Sequence, residues 1–141
     1  MSRPRVLLAE DHPSNRALLR DLLDTEFEVV AAVQNGQALL KAASALSPEM
    51  IVTDVGMRGC DAIVATRTIL RTNPATRIVF VTVHDEPDYI ESGLEAGALG
   101  YVLKHAAGDE LLPAVHAALR RHVCGTKSER VETSREIRPW R

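Results

Sequence analysis

The sequence predicts an α/β protein in which strands and helices alternate five times around a parallel sheet. Two observations predict it. Short apolar runs of strand length recur between amphipathic stretches of helix length, and three of the five runs are apolar at consecutive positions, as in strands covered on both faces. Repeated β-α units also imply right-handed crossovers with helices on both sides of the sheet. In open sheets of this kind, ligands bind beyond the carboxyl ends of the strands.

The expected strands are Arg5 to Ala9, Phe27 to Val33, Met50 to Thr53, Arg77 to Thr82 and Gly100 to Leu103. Each is short, rich in β-branched residues or Leu, and bounded by polar residues. The first expected helix runs from Ser14 to Asp24, with Ala17, Leu18, Leu22 and Leu23 on one stripe and Pro13 suited to a first helical turn. Gln37 to Leu46, Ala62 to Arg71, Pro87 to Ala96 and Asp109 to Arg121 follow the same pattern, punctuated by Gly36, Pro74, Gly97 and Gly125.

A chain of 141 residues is about one domain and buries roughly two-thirds of the surface its unfolded form exposes. No apolar run approaches the roughly 20 residues a membrane helix requires. Val6 to Ala9 is cut off by Glu10 and Asp11, too soon to form a signal-peptide core, so a cytoplasmic location is expected. Cys60 and Cys124 are too few and too far apart for a disulfide framework or a metal knuckle, and structural roles are expected of both.

The net charge of -2 excludes a general polyanion binder, but its distribution is uneven. Gly125 to Arg141 carries five basic and three acidic residues, so residues 1–124 read as the domain and 125–141 as a basic polar tail or a truncated linker. The tail's charge is too weak to argue for nucleic-acid binding of its own.

In "IVTDVGMRGC", from Ile51 to Cys60, an apolar strand stops on the carboxylate of Asp54. A charge in such a run needs a partner to offset its desolvation. The other strand ends supply candidates: Glu10 and Asp11 after the first, Thr82 at the fourth, Lys104 after the fifth. Like charges about 4 Å apart repel by roughly 4 kcal/mol at an effective dielectric near 20, so three converging carboxylates imply a divalent cation. Mg2+ fits, being a hard ion that pairs carboxylates with phosphate. Asp54 could then act as a carboxylate nucleophile toward phosphorus, with Lys104 and Thr82 stabilising the transferred group.

These residues carry a resemblance. "AEDH", "VTDVGM", "FVTVHD" and "GYVLKHA", with spacings of 43, 28 and 22 residues from Asp11 to Asp54 to Thr82 to Lys104, resemble the receiver domain of two-component response regulators. The likeness spans about residues 4 to 123. "GALGYVLK" and "VHDEPDYI" are most similar to its NarL/FixJ (LuxR-type) branch.

The resemblance implies a flavodoxin-like doubly wound fold with strand order 2-1-3-4-5. It implies phosphorylation of Asp54 by a sensor histidine kinase, with Mg2+ held by Glu10, Asp11, Asp54 and the backbone carbonyl of Gly56. Such a domain is not an enzyme in the ordinary sense. It catalyses only its own phosphoryl transfer and slow autodephosphorylation. Thr82 and Tyr101 match the family's switch pair, acting on the face formed by the fourth helix, fifth strand and fifth helix, where dimerisation or partner binding is expected. Gly56 and His84 match positions that border the phosphoryl group and tune its lifetime. His12 is assigned no catalytic role.

Departures from the pattern fall in the loop after Asp54. Met57-Arg58 stands where the family usually has Met-Pro, and Ala62 where it usually has glycine, which changes the backbone restraints there. His105 follows Lys104, so a cis proline peptide is excluded at that place. "ETSREI", Glu132 to Ile137, resembles the opening of a LuxR-type DNA-binding domain, yet the sequence reaches Arg141 with none of its helices. DNA would be contacted only through such a further domain, in a full-length transcription regulator. The alternative is a stand-alone receiver serving as an interaction module or phosphate sink. Two other classes fit less well. An aspartyl-phosphate phosphohydrolase ordinarily needs a second carboxylate two residues after the nucleophile, where this chain has Gly56. A flavin binder needs a Gly/Ser/Thr loop where this chain has Glu10 and Asp11.

Overall fold

The computed structural model describes residues 3–57, 61–83 and 87–121. Strands β1 (Arg5–Ala9), β2 (Glu28–Val33), β3 (Met50–Asp54), β4 (Arg77–Thr82) and β5 (Gly100–Leu103) alternate with helices α1 (Pro13–Asp24), α2 (Gly36–Leu46), α3 (Ala62–Thr72), α4 (Pro87–Ala96) and α5 (Ala107–Arg120). A single 3-10 turn, Lys104–Ala106, joins β5 to α5. The strands form one parallel sheet in the order β2-β1-β3-β4-β5. The chain winds outward from β1 to β2, then crosses back to β3, so the order reverses between β1 and β3. The crevice expected for a ligand lies at their carboxyl ends.

Side chains alternate across each strand, and two cores result. Val6, Leu8, Val52, Val79, Val81 and Val102 pack under α1 and α5 against Leu19, Leu23, Leu111 and Val115. Leu7, Ile51, Ile78, Phe80 and Tyr101 face the other way, toward Leu39, Ile63, Ile69 and Leu94 of α2, α3 and α4. This double cover explains the consecutive apolar positions, and β3 is buried along its whole length. The edge strand β2 is only partly covered.

Several boundaries and faces differ from the expectation. Leu19 and Leu23 are the buried pair of α1, whereas Leu18 is 56% exposed and Ala17 also faces solvent. The i, i+4 pair Leu19 and Leu23 faces the sheet, and Leu18, about 100° away around the helix, points outward. Phe27 is buried but precedes β2, because its N–H is still bonded to the Leu23 carbonyl at the end of α1. Asp54 lies inside β3, and α5 starts at Ala107, two residues early. The peptide bond before His105 is trans. Cys60, Arg58, Cys124 and the tail lie outside the described residues.

Local chemistry sets the helix ends. Asn35 accepts from the Ala38 N–H at 2.8 Å and Asp61 from the Ile63 N–H at 2.8 Å, the bonds expected of good N-caps. Ser47 ends α2 in the left-handed region at φ 45°, and Gly97 follows α4 at φ 123°. Gly93 lets α4 approach the sheet closely, since a Cβ there would lie 2.3 Å and 2.7 Å from the Phe80 ring. At the opposite side of the fold, Glu26 and His116 form a hydrogen bond. The His116 ring lies 4.8 Å from that of Phe27, tying α5 to the turn before β2.

Candidate functional site

The register of β1 on β3 pairs Ala9 with Thr53, so the next residues, Glu10 and Asp54, emerge side by side at the crevice. Asp11 follows Glu10 into the loop before α1. The three carboxylates each place an oxygen within 4.8 Å of the others. Glu10 is fully buried, Asp54 is 8% exposed and Asp11 is partly exposed.

Lys104, at the start of the 3-10 turn after β5, reaches back across the strand ends. Its Nζ lies 2.6 Å from Glu10 Oε1 and 3.3 Å from Asp54 Oδ2. Burial of the ammonium acts to lower its pKa, but the contact with Glu10 and the negative charges of Asp54 and Glu10 outweigh that effect and raise it above the ordinary lysine value. Lys104 therefore stays charged at neutral pH.

The backbone completes the arrangement. Glu10 Oε2 accepts from the His12 N–H at 3.0 Å, and Asp54 Oδ1 accepts from the Gly56 N–H at 3.3 Å. Apart from the ammonium, Glu10 Oε1 has no hydrogen-bond partner among the described residues. Three carboxyl groups meet one ammonium in a small volume, and every candidate ligand is a hard oxygen. The residues thus fit a divalent cation of the Mg2+ type, with Glu10, Asp11 and Asp54 as the side chains able to hold it. An open cleft lined by Asp11, His12, Pro13, Gln34 and Asn35 leads to the acidic group from outside.

Thr82 is buried at the end of β4, opposite Leu103, on the strand next to the one that carries Asp54. Tyr101 pairs with Phe80 and is 3% exposed, part of the core under α4. Gly56 is exposed, and a Cβ there meets no atom within 4 Å. Ala62 occupies the first position of α3 and is buried. His84 lies outside the described residues.

Sequence reasoning missed Arg16. Its guanidinium donates to the Glu10 carbonyl at 2.9 Å, one turn back across the loop. The available signal was its place one turn into a helix beginning at Pro13, since helical side chains lean toward the N-terminus.

Residues 6–116 match the family described as the response regulator receiver domain. The chain belongs to this family. The receiver domain is 36% identical over 118 residues to the uncharacterized transcriptional regulatory protein YxjL of Bacillus subtilis, covering 82% of this chain and 54% of that protein. It is 37% identical over 113 residues to the response regulator GacA of Pseudomonas viridiflava, covering 79% and 53%. The chain therefore spans about half the length of these curated relatives. Among solved structures it is similar to a LuxR-family two-component response regulator from Aurantimonas sp., with TM-score 0.81, 30% identity and coverage of 98% and 99%. The signal receiver domain of NarL from Mycobacterium tuberculosis gives TM-score 0.79 at 28% identity, covering 86% of this chain and all of that one. The relatives are NarL/LuxR-type regulators, as the sequence resemblance implied. No helix among the described residues is long and apolar enough to cross a membrane.

Proposed function

We propose that this receiver domain takes a phosphoryl group from a sensor histidine kinase onto Asp54, in the cytoplasm, with Mg2+ as its cofactor. The observation that carries the reading is the convergence of Glu10, Asp11 and Asp54 within 4.8 Å, with Lys104 bridging two of them. An Asp54 carboxylate oxygen attacks the phosphorus of the phosphohistidine. The new P–O bond forms as the P–N bond breaks, and the bonding pair returns to the imidazole nitrogen.

Bound Mg2+, held by Glu10, Asp11, Asp54 and the Gly56 carbonyl, would supply charge neutralisation for the phosphoryl oxygens. Lys104 is charged and already at the strand ends, so its ammonium can move from the carboxylates to a phosphoryl oxygen. The Thr82 hydroxyl hydrogen-bonds another. Phosphorylation replaces the single carboxylate charge of Asp54 by a phosphoryl group of about -2 with three strong acceptor oxygens, which draws Thr82 toward it, and Tyr101, next to β4, carries the change to the face made by α4, β5 and α5. There the domain dimerises or meets its output partner, which in a full-length regulator controls transcription.

Apart from this self-phosphorylation, the domain's only chemistry is slow hydrolysis of the aspartyl phosphate. Gly56 leaves the path of an attacking water open, and His84 sets the rate. His84→Ala tests that role, and an unchanged autodephosphorylation rate counts against it.

Incubation with Mg2+ and acetyl phosphate, followed by intact-mass measurement, tests the main reading. The expected result is a gain of one phosphoryl group in the wild type and none in Asp54→Asn. No gain in the wild type would overturn it and leave a phosphorylation-independent interaction module.

A further inference from the structure

We propose that Arg16 is a positioning residue for the acidic pocket, aiming Asp11 at the cation by holding the peptide that precedes it. The inference rests on the reading of Glu10, Asp11 and Asp54 as the Mg2+ site.

The three carboxylates are not anchored alike. Glu10 is held by its Oε2 bond from the His12 N–H, its Oε1 contact with Lys104, and a bond from its own N–H to the Val33 carbonyl at 2.9 Å. Asp54 is held by the Gly56 N–H and Lys104. The Asp11 carboxylate makes no hydrogen bond or ion pair among the described residues, and it is the most exposed of the three. Its direction is therefore set by the backbone that carries it.

That backbone has one side-chain support. The Glu10 carbonyl belongs to the peptide unit that ends at the Asp11 Cα, and a peptide unit is planar. Arg16 Nη1 donates to this carbonyl at 2.9 Å, so the guanidinium fixes the plane from which the Asp11 side chain departs. The first helical bond of α1, from the Arg16 N–H to the His12 carbonyl at 2.9 Å, anchors Arg16 itself. Loop and helix thus form a closed bracket around Asp11.

Charge and position predict opposite results when Arg16 is removed. As a cation near the pocket, Arg16 opposes Mg2+, so its loss by that effect alone would tighten binding. As a positioning residue, its loss lets Asp11 wander and weakens binding. A purely structural role would lower stability without changing affinity.

The test is calorimetric titration of the unphosphorylated full chain with MgCl2, alongside urea unfolding in EDTA. Arg16→Met is expected to weaken Mg2+ binding about ten-fold, the low end for loss of a group that orients a metal ligand. Arg16→Lys, whose ammonium ends one bond short of the guanidinium nitrogen, should recover part of that loss, whereas Arg16→Gln, two bonds shorter, should not. Equal or tighter binding by Arg16→Met overturns the inference. If Arg16→Met does not fold, Arg16→Gln and Arg16→Lys decide: several-fold weaker binding by Arg16→Gln with Arg16→Lys closer to wild type supports it, and binding by Arg16→Gln equal to or tighter than wild type overturns it. A wild type that binds no Mg2+ would instead sink the cation-site reading beneath it.

Discussion

Replacing Lys104 with methionine removes a cation in contact with two buried carboxylates, and the outcome follows from the distances. At an effective dielectric near 20, the 2.6 Å contact with Glu10 and the 3.3 Å contact with Asp54 correspond to gross attractions of about 6 and 5 kcal/mol. Much of this is offset by desolvation of the three groups. Breaking a buried pair by removing one partner costs about 3–5 kcal/mol. The lysine side chain retains 16% exposure, so the low end, about 3 kcal/mol, is expected for Lys104→Met in metal-free urea unfolding.

Mg2+ should narrow that gap. In the wild type the cation must compete with the ammonium for Glu10 and Asp54, whereas in the variant it does not. A ten-fold gain in affinity corresponds to about 1.4 kcal/mol, and at a fixed saturating Mg2+ concentration it appears as that much extra stabilisation of the variant. The difference between the two proteins should thus fall to roughly half on adding Mg2+, while the variant loses its mass gain with acetyl phosphate. The reasoning fails if the metal-free cost is under about 1 kcal/mol, or if Mg2+ stabilises both proteins equally. The pH dependence has a definite sign. The folded pKa of Lys104 is raised above its ordinary 10.5, so the ammonium's stabilising contribution is fully present below that value. It is lost only as pH rises through the higher folded pKa.

Other substitutions probe the scaffold and the loop. Gly93→Ala drives a Cβ into the Phe80 ring, and the overpacking, partly offset by better helix propensity, should cost about 1–2 kcal/mol. Phe80→Leu should relieve it, seen as favourable coupling in a double-mutant cycle by urea unfolding. Ser47→Gly removes a left-handed strain at φ 45° and should stabilise by about 0.5–1 kcal/mol, measured as a raised Tm, whereas Ser47→Val should lower it. Gly56→Ala meets no atom within 4 Å and should change stability by less than about 0.5 kcal/mol. Gly56→Gln should lengthen the phosphoryl lifetime by shielding Asp54, as timed by autodephosphorylation.

The alternation of strands and helices was legible because the physics is local and periodic: buried parallel strands write consecutive apolar residues, and Pro13, Gly36, Pro74 and Gly97 punctuate helix ends. The acidic group was legible because Asp54 is conspicuous in an apolar run. What stayed hidden depends on geometry that no spacing encodes. The inward face of α1 depends on how the helix is rotated against the sheet, which buries Leu19 and leaves Leu18 exposed. That Lys104 grips Glu10 more closely than Asp54 depends on a 3-10 turn which apolar periodicity does not predict. Arg16 was invisible for a related reason. Its partner is a backbone carbonyl, and carbonyls carry no identity in a sequence.

The bare spot on α4 at Gly93 restricts how that helix can move. The Phe80 ring occupies the space a side chain would need, on the strand that ends at Thr82 and in register with Tyr101. Slipping α4 along its axis would carry Gly93 off the ring and bring the same-face residues three positions away, Ile90 or Ala96, toward it, and close-packed interiors do not absorb such a change continuously. The helix can tilt about the ring as a ball turns in a socket, or it can detach. A message leaving the pocket through α4 would therefore travel as an angle and not as a translation, largest at the helix ends and smallest at its centre.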